Sequence, residues 1–140
     1  MTDDYRRHVI RLIRSMNGGP LALEAALIEL MAEDVLWRWP QSGEVIRGRD
    51  RLIQIEVHHP ELPRVGITRV TNCGDLVVAE WSADYGDGRI FRNVSLIEFE
   101  LGKVTAGTEY LGEPFDPPGW RSTLVDIEFD PGPEEQAATA

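Results

Sequence analysis

Residues 91–110, FRNVSLIEFELGKVTAGTEY, decide the fold. Two runs rich in β-branched and aromatic residues, Arg89 to Leu101 and Val104 to Gly112, are separated by Gly102-Lys103. A connection this short predicts an antiparallel hairpin. Working backwards, Gly86-Asp87-Gly88 is a turn after a strand from Leu76 to Tyr85. Asn72-Cys73-Gly74-Asp75 is another, after a strand from Val65 to Thr71. The second half of the chain therefore reads as a four-stranded antiparallel meander.

The first half has a helical period. Val9, Ile10, Leu12, Ile13 and Met16 form an apolar stripe over roughly Asp3 to Met16, with Arg6, Arg7, Arg11 and Arg14 mostly on the solvated side. Asn17-Gly18-Gly19 stops that helix, and Pro20 suits the first turn of a second, Leu21 to Ala32. Val35 to Trp39 reads as a strand ended by Pro40. Gly43 to Arg49 reads as a loop, and Asp50 as the cap of a third helix running to about His59, ahead of Pro60. Helix, helix, strand, helix and four strands predict an α+β domain with helices on one face of a curved sheet. Residues 1–129 are expected to form one domain and 130–140 a disordered tail.

Composition narrows the function classes. The 140 residues carry 14 basic against 24 acidic groups, a net charge of −10. That is the opposite of a nucleic-acid footprint, and it also argues against anionic membrane surfaces. The single cysteine, Cys73, allows no internal disulfide and no four-thiolate metal site. No signal-peptide order or long apolar run is present, so the expected address is cytoplasmic. Phosphate loops, paired-cysteine zinc spacings and nucleophile elbows are also missing, and no cofactor or metal is expected.

Several pieces together resemble the nuclear transport factor 2-like superfamily, in its SnoaL-like (polyketide cyclase-like) branch. They are Ala32-Glu33-Asp34-Val35 before the tryptophan strand, Arg47-Gly48-Arg49-Asp50-Arg51-Leu52, the last hairpin, and Glu113-Pro114-Phe115. The resemblance implies a cone-shaped barrel, in which a strongly curved, mostly antiparallel sheet carries three helices on its concave face. It also implies one pocket open at one end and a homodimer formed through the other sheet face. Superfamily members include cyclases, isomerases, epoxide hydrolases, dehydratases and proteins that only bind, so fold does not fix reaction. The expected function is cofactor-independent acid/base chemistry on a small, mostly apolar metabolite; the alternative is a non-catalytic binding or accessory protein.

Glu109 leads the candidates. In the phenazine-biosynthesis members that the hairpin resembles, a glutamate at the matching position is an acid/base group. Its other readings are an ion pair with Arg92 or Arg121, or simple exposure. Those relatives also carry a histidine on the third helix, where this chain has Ile55. His58 and His59, one turn on, either reach the pocket rim or end the helix. Tyr110 is a further acid/base candidate. Trp37, Trp39 and Trp81 line a pocket or fill a core or dimer interface, and Ile55 is a further candidate wall. Arg92 and Asn93 point to opposite sides, and a one-residue slip in the hairpin would exchange them. Glu80, Ser82 and Asp84 share the face opposite Val77, Ala79 and Trp81. Trp120 and Arg121 either cover the pocket mouth or fasten the tail to a partner.

Overall fold

A computed structural model describes residues 2–133. Its order is α1 (Thr2–Ser15), α2 (Pro20–Leu30), β1 (Met31–Trp39), β2 (Glu44–Arg47), α3 (Arg49–Val57), β3 (Arg64–Cys73), β4 (Leu76–Asp84), β5 (Ile90–Glu100) and β6 (Lys103–Gly112). The six strands form one sheet in the order β2-β1-β6-β5-β4-β3. Every neighbouring pair is antiparallel except β1 with β6. The expected α+β class and meander hold. The sheet has two open edges, β2 and β3, so it is a curved, unclosed cone rather than a barrel.

The helical stripe packs as read. Tyr5, Val9, Leu12 and Ile13 of α1 are buried, and α1 lies against β3 and β4. Tyr5 stacks on Phe99 with ring centroids 4.2 Å apart. Asn17 does more than end a helix. Its Nδ2 donates to the Val65 carbonyl (3.0 Å) and its Oδ1 accepts from the Val65 amide (2.8 Å), clamping the helical turn to the start of β3. Leu52 of α3 is almost fully buried, a contribution of roughly 1.5–3 kcal/mol.

Three boundaries differ from the sequence reading. The second helix ends at Leu30, and the chain is already strand at Met31. The stretch read as a loop contains β2, because it pairs Ile46 with Trp37 and buries Ile46. The third helix is entered through Gly48 at φ 99°, with Asp50 in its first turn rather than capping it. Of the stretch read as a tail, 130–133 are described: Asp130 accepts from Arg92, and Gly132 is buried against Ile90. The rest of the expected disorder, 134–140, lies outside the described residues. Among the described residues, no helix is long and apolar enough to cross a membrane.

One irregularity positions the site. Leu101 (φ 52°) and Gly102 (φ 83°) make the tight turn between β5 and β6, and Phe99 pairs with Val104. The next pair is Glu98 with Ala106, which leaves Thr105 as an extra residue. This bulge advances β6 by one position. Ser95 consequently faces Glu109, not Thr108.

Candidate functional site

The concave face and the helices enclose a cavity of about 440 Å³, within the range of small-molecule sites. Its apolar lining includes Leu12, Leu27, Met31, Leu52, Ile55 and Ile97. Trp37, Trp39, Trp81 and Tyr85 add aromatic walls, and Glu44, Glu56, Glu109 and His59 join the Tyr85 phenol as titratable lining groups. Among the described residues, no lysine or arginine lines it. Gln41 exchanges hydrogen bonds with the backbone of Leu111, which ties the rim loop to the end of β6.

Trp37 and Trp39, two apart on β1, point the same way. The Trp37 ring lies flat over Gly107, its partner across the parallel β1–β6 pair. A Cβ at 107 would stand 2.1 Å from that ring, so only glycine fits there. The indole is thereby carried over the strand to the side chain two residues on. Both Trp37 Nε1 and Trp39 Nε1 donate to Glu109 Oε1 at 3.0 Å.

The other oxygen has its own donor. Trp81 Nε1 donates to Ser95 Oγ (2.9 Å), and Ser95 Oγ donates to Glu109 Oε2 (2.7 Å). An indole N–H cannot accept, so the Trp81 bond fixes the direction of the serine hydroxyl. Glu109 is an acceptor in all three bonds, which is the hydrogen-bonding inventory of an ionised carboxylate. Three of its roughly four lone-pair sites are occupied. What remains is available to the cavity.

Glu56 is the carboxylate that sequence reading missed. It follows Ile55 on α3, lines the cavity, and is half-buried. Among the described residues its carboxyl has no hydrogen-bonding or ion-pair partner. Burial, and then the negative charge of Glu109, push it up from 4.5 to about 7. The same burial, with both carboxylates nearby, pushes the Tyr85 phenol up. The only sequence signal for Glu56 was its place beside Ile55, where the resemblance expects a titratable group.

The remaining candidates divide. His59 lines the cavity, stacks on Tyr85 (centroids 5.7 Å apart), and accepts the Glu61 amide at Nδ1. His58 does not join it. It is exposed at the end of α3, where its amide donates to the Gln54 carbonyl. Tyr110 is on the outer face and 45% exposed, because it adjoins an inward-facing residue on a strand. Arg92 also points outward, pairing with Asp130, while Asn93 is buried and accepts the Gly112 amide instead of lining the cavity. Neither Arg92 nor Arg121 pairs with Glu109; Arg121 lies over the Trp120 ring. Trp120 is 79% exposed and is not a cavity wall. Glu80 faces outward in an ion pair with Arg69, so the polar face of β4 supplies no second carboxylate. Among the described residues no group of three or more histidine, cysteine or carboxylate side chains could hold a metal ion.

The SnoaL-like domain profile matches residues 9–107. An NTF-2 like protein of unknown function from Burkholderia xenovorans is 33% identical, with 91% of this chain and 97% of that one covered and a TM-score of 0.77. A candidate ketosteroid isomerase from Kribbella flavida is 25% identical over 95% and 96% of the two chains, with a TM-score of 0.79. A protein with a ketosteroid isomerase-like fold from Catenulispora acidiphila, solved in complex with trimethylamine, is 20% identical over 75% and 85%, with a TM-score of 0.60. No curated protein matched.

Proposed function

We propose, from the premise that this chain belongs to the SnoaL-like domain family, that it transfers protons on a small, mostly apolar metabolite, with Glu109 as the acid/base group. The observation that carries this is a carboxylate set in an apolar cavity and held by three hydrogen-bond donors, with a lone pair left for a ligand. Such a group needs no reorganisation to accept a proton from a C–H or O–H bond, and the same oxygen can return it elsewhere on the ligand. Isomerisation, cyclisation and dehydration all fit that cycle. The 25% identity to a candidate ketosteroid isomerase is in keeping with it; the trimethylamine-bound neighbour, at 20%, speaks only to the fold.

The test is deuterium uptake. Small apolar ketones and amino ketones are incubated with the protein in D₂O, and exchange next to the carbonyl is followed by proton NMR. Wild type should catalyse exchange, and Glu109→Gln should slow it about 100-fold or more. A folded Glu109→Gln protein exchanging at the wild-type rate would refute the assignment.

A second reading is a non-catalytic binding protein. It is favoured by Ile55 at the histidine position and by the fact that Glu109 bonds only to indoles and a serine, none a ready proton carrier. Ligand uptake without exchange in wild type would decide for it.

A further inference from the structure

We propose that the cavity is built for a cation: a lipophilic amine whose ammonium group sits at Glu56, beside Glu109, with its hydrocarbon body against the indole walls. This names a substrate class for the site proposed above and rests on that site being a ligand pocket.

Three observations converge. First, charge is one-sided: among the described residues, three carboxylates line the cavity and no lysine or arginine does. An anionic ligand would find no lysine or arginine to pair with there and would face three carboxylates, so its desolvation would go largely uncompensated. Second, Glu56 is an unpartnered, half-buried carboxyl that lines this cavity, on the same hollow as Glu109. The field that draws a proton onto Glu56 draws any positive charge placed there. A ligand ammonium satisfies that field with a permanent partner, whereas a neutral ligand leaves it to be met by a proton. Third, the walls suit a cation. Trp37, Trp39 and Trp81 present aromatic rings, and desolvated ammonium groups gain from aromatic faces. The indole N–H groups of Trp37 and Trp39 already donate to Glu109, so they are not free to recognise an acceptor on the ligand.

The groups that titrate around Glu56 are few. Glu109 faces it from β6, Tyr85 follows β4, His59 follows α3, and Glu44 on β2 stands at the exposed rim. Of these, Glu109 and Tyr85 are electrostatically coupled to it. His59 is the same in both proteins when only Glu56 is replaced, so the comparison of the two isolates Glu56.

The experiment compares three probes of similar size: benzyltrimethylammonium, its neutral carbon isostere neopentylbenzene, and phenylacetate. Binding is followed by the emission of the cavity tryptophans, in a Trp120→Phe background that removes the exposed indole. The permanent cation should bind at least tenfold tighter than the isostere at pH 8, and phenylacetate should bind weakest. Because a proton competes with the cation at Glu56, cation affinity should rise about 30-fold from pH 5.5 to pH 8. Glu56→Gln should remove most of that rise, and Glu56→Asp should restore part of it. Equal or tighter binding of the neutral isostere, or an unchanged pH profile in Glu56→Gln, would overturn the cation assignment and leave the Glu109 reading standing. Failure of all three probes to bind would overturn both, since no working pocket would then exist.

Discussion

Glu56 makes the fold itself sensitive to pH, and replacing it with glutamine isolates the effect. The folded chain keeps a proton on this carboxyl up to about pH 7, whereas the unfolded chain gives it up near 4.5. Between those values the folded state binds more protons. Stability from this group is therefore complete below about pH 4.5 and is lost as pH rises through 7. At about 1.4 kcal/mol per tenfold in proton affinity, the span is worth about 3 kcal/mol. Glutamine has nearly the shape of the protonated acid and never ionises. The difference in unfolding free energy, Glu56→Gln minus wild type, should thus move by about 3 kcal/mol in favour of the variant between pH 4.5 and pH 8. For a domain of this size that is a relative shift in melting temperature of about 10 °C. Urea titrations across that pH range give the free energies directly. The other acidic groups behind the charge of −10 are common to both proteins and cancel in the difference. A difference that stays flat from pH 4.5 to pH 8 would refute the burial argument, and with it the claim that Glu56 has no native partner.

Two further outcomes test how the site is held. Gly107→Ala drives a methyl into the Trp37 ring and should cost about 1–3 kcal/mol, with Trp37 emission moving toward that of a solvated indole; a melting temperature within 1 °C or so of wild type would show that the ring has room. Deleting Thr105 removes the bulge that turns Glu109 inward. It should leave no cooperative unfolding transition, whereas Thr105→Ser, which keeps the residue count, should melt within about 2 °C of wild type.

The pattern of elements was legible because it is local. The stripe on α1, the Asn17-Gly18-Gly19-Pro20 break, and the turn at Gly86–Gly88 act within a few residues of themselves and form where they were read. The turn read at Asn72–Asp75 narrows to Gly74-Asp75, because Asn72 and Cys73 pair in the strand. The strand β2 was not legible. Four residues with one buried position, Ile46, carry too little pattern to be told from a loop, and they become a strand only because Trp37 stands opposite. The early end of α2 has a similar cause. Met31 looks like one more residue on an apolar helical stripe, but it pairs with Val104 of β6.

The candidate site divides along the same line. Glu109 and the tryptophans could be singled out by residue type and strand period, and the resemblance to the SnoaL-like branch added a third-helix position needing a titratable group. Which residues meet could not, because that depends on register, and register here depends on one unpaired residue. Without Thr105 as a bulge, alternation carried from Phe99 and Val104 would turn Tyr110 into the cavity and Glu109 out of it. Glu56 was hidden for a different reason. A charged residue on a short helix reads as its solvated face, and only the closure of α3 over the sheet withdraws it from water. The sequence determines a helix-rich half and a four-strand meander, because hydrophobic period and turn chemistry are local properties. The tertiary structure alone decides that two carboxylates share one apolar hollow, because burial and electrostatic coupling arise between segments about fifty residues apart.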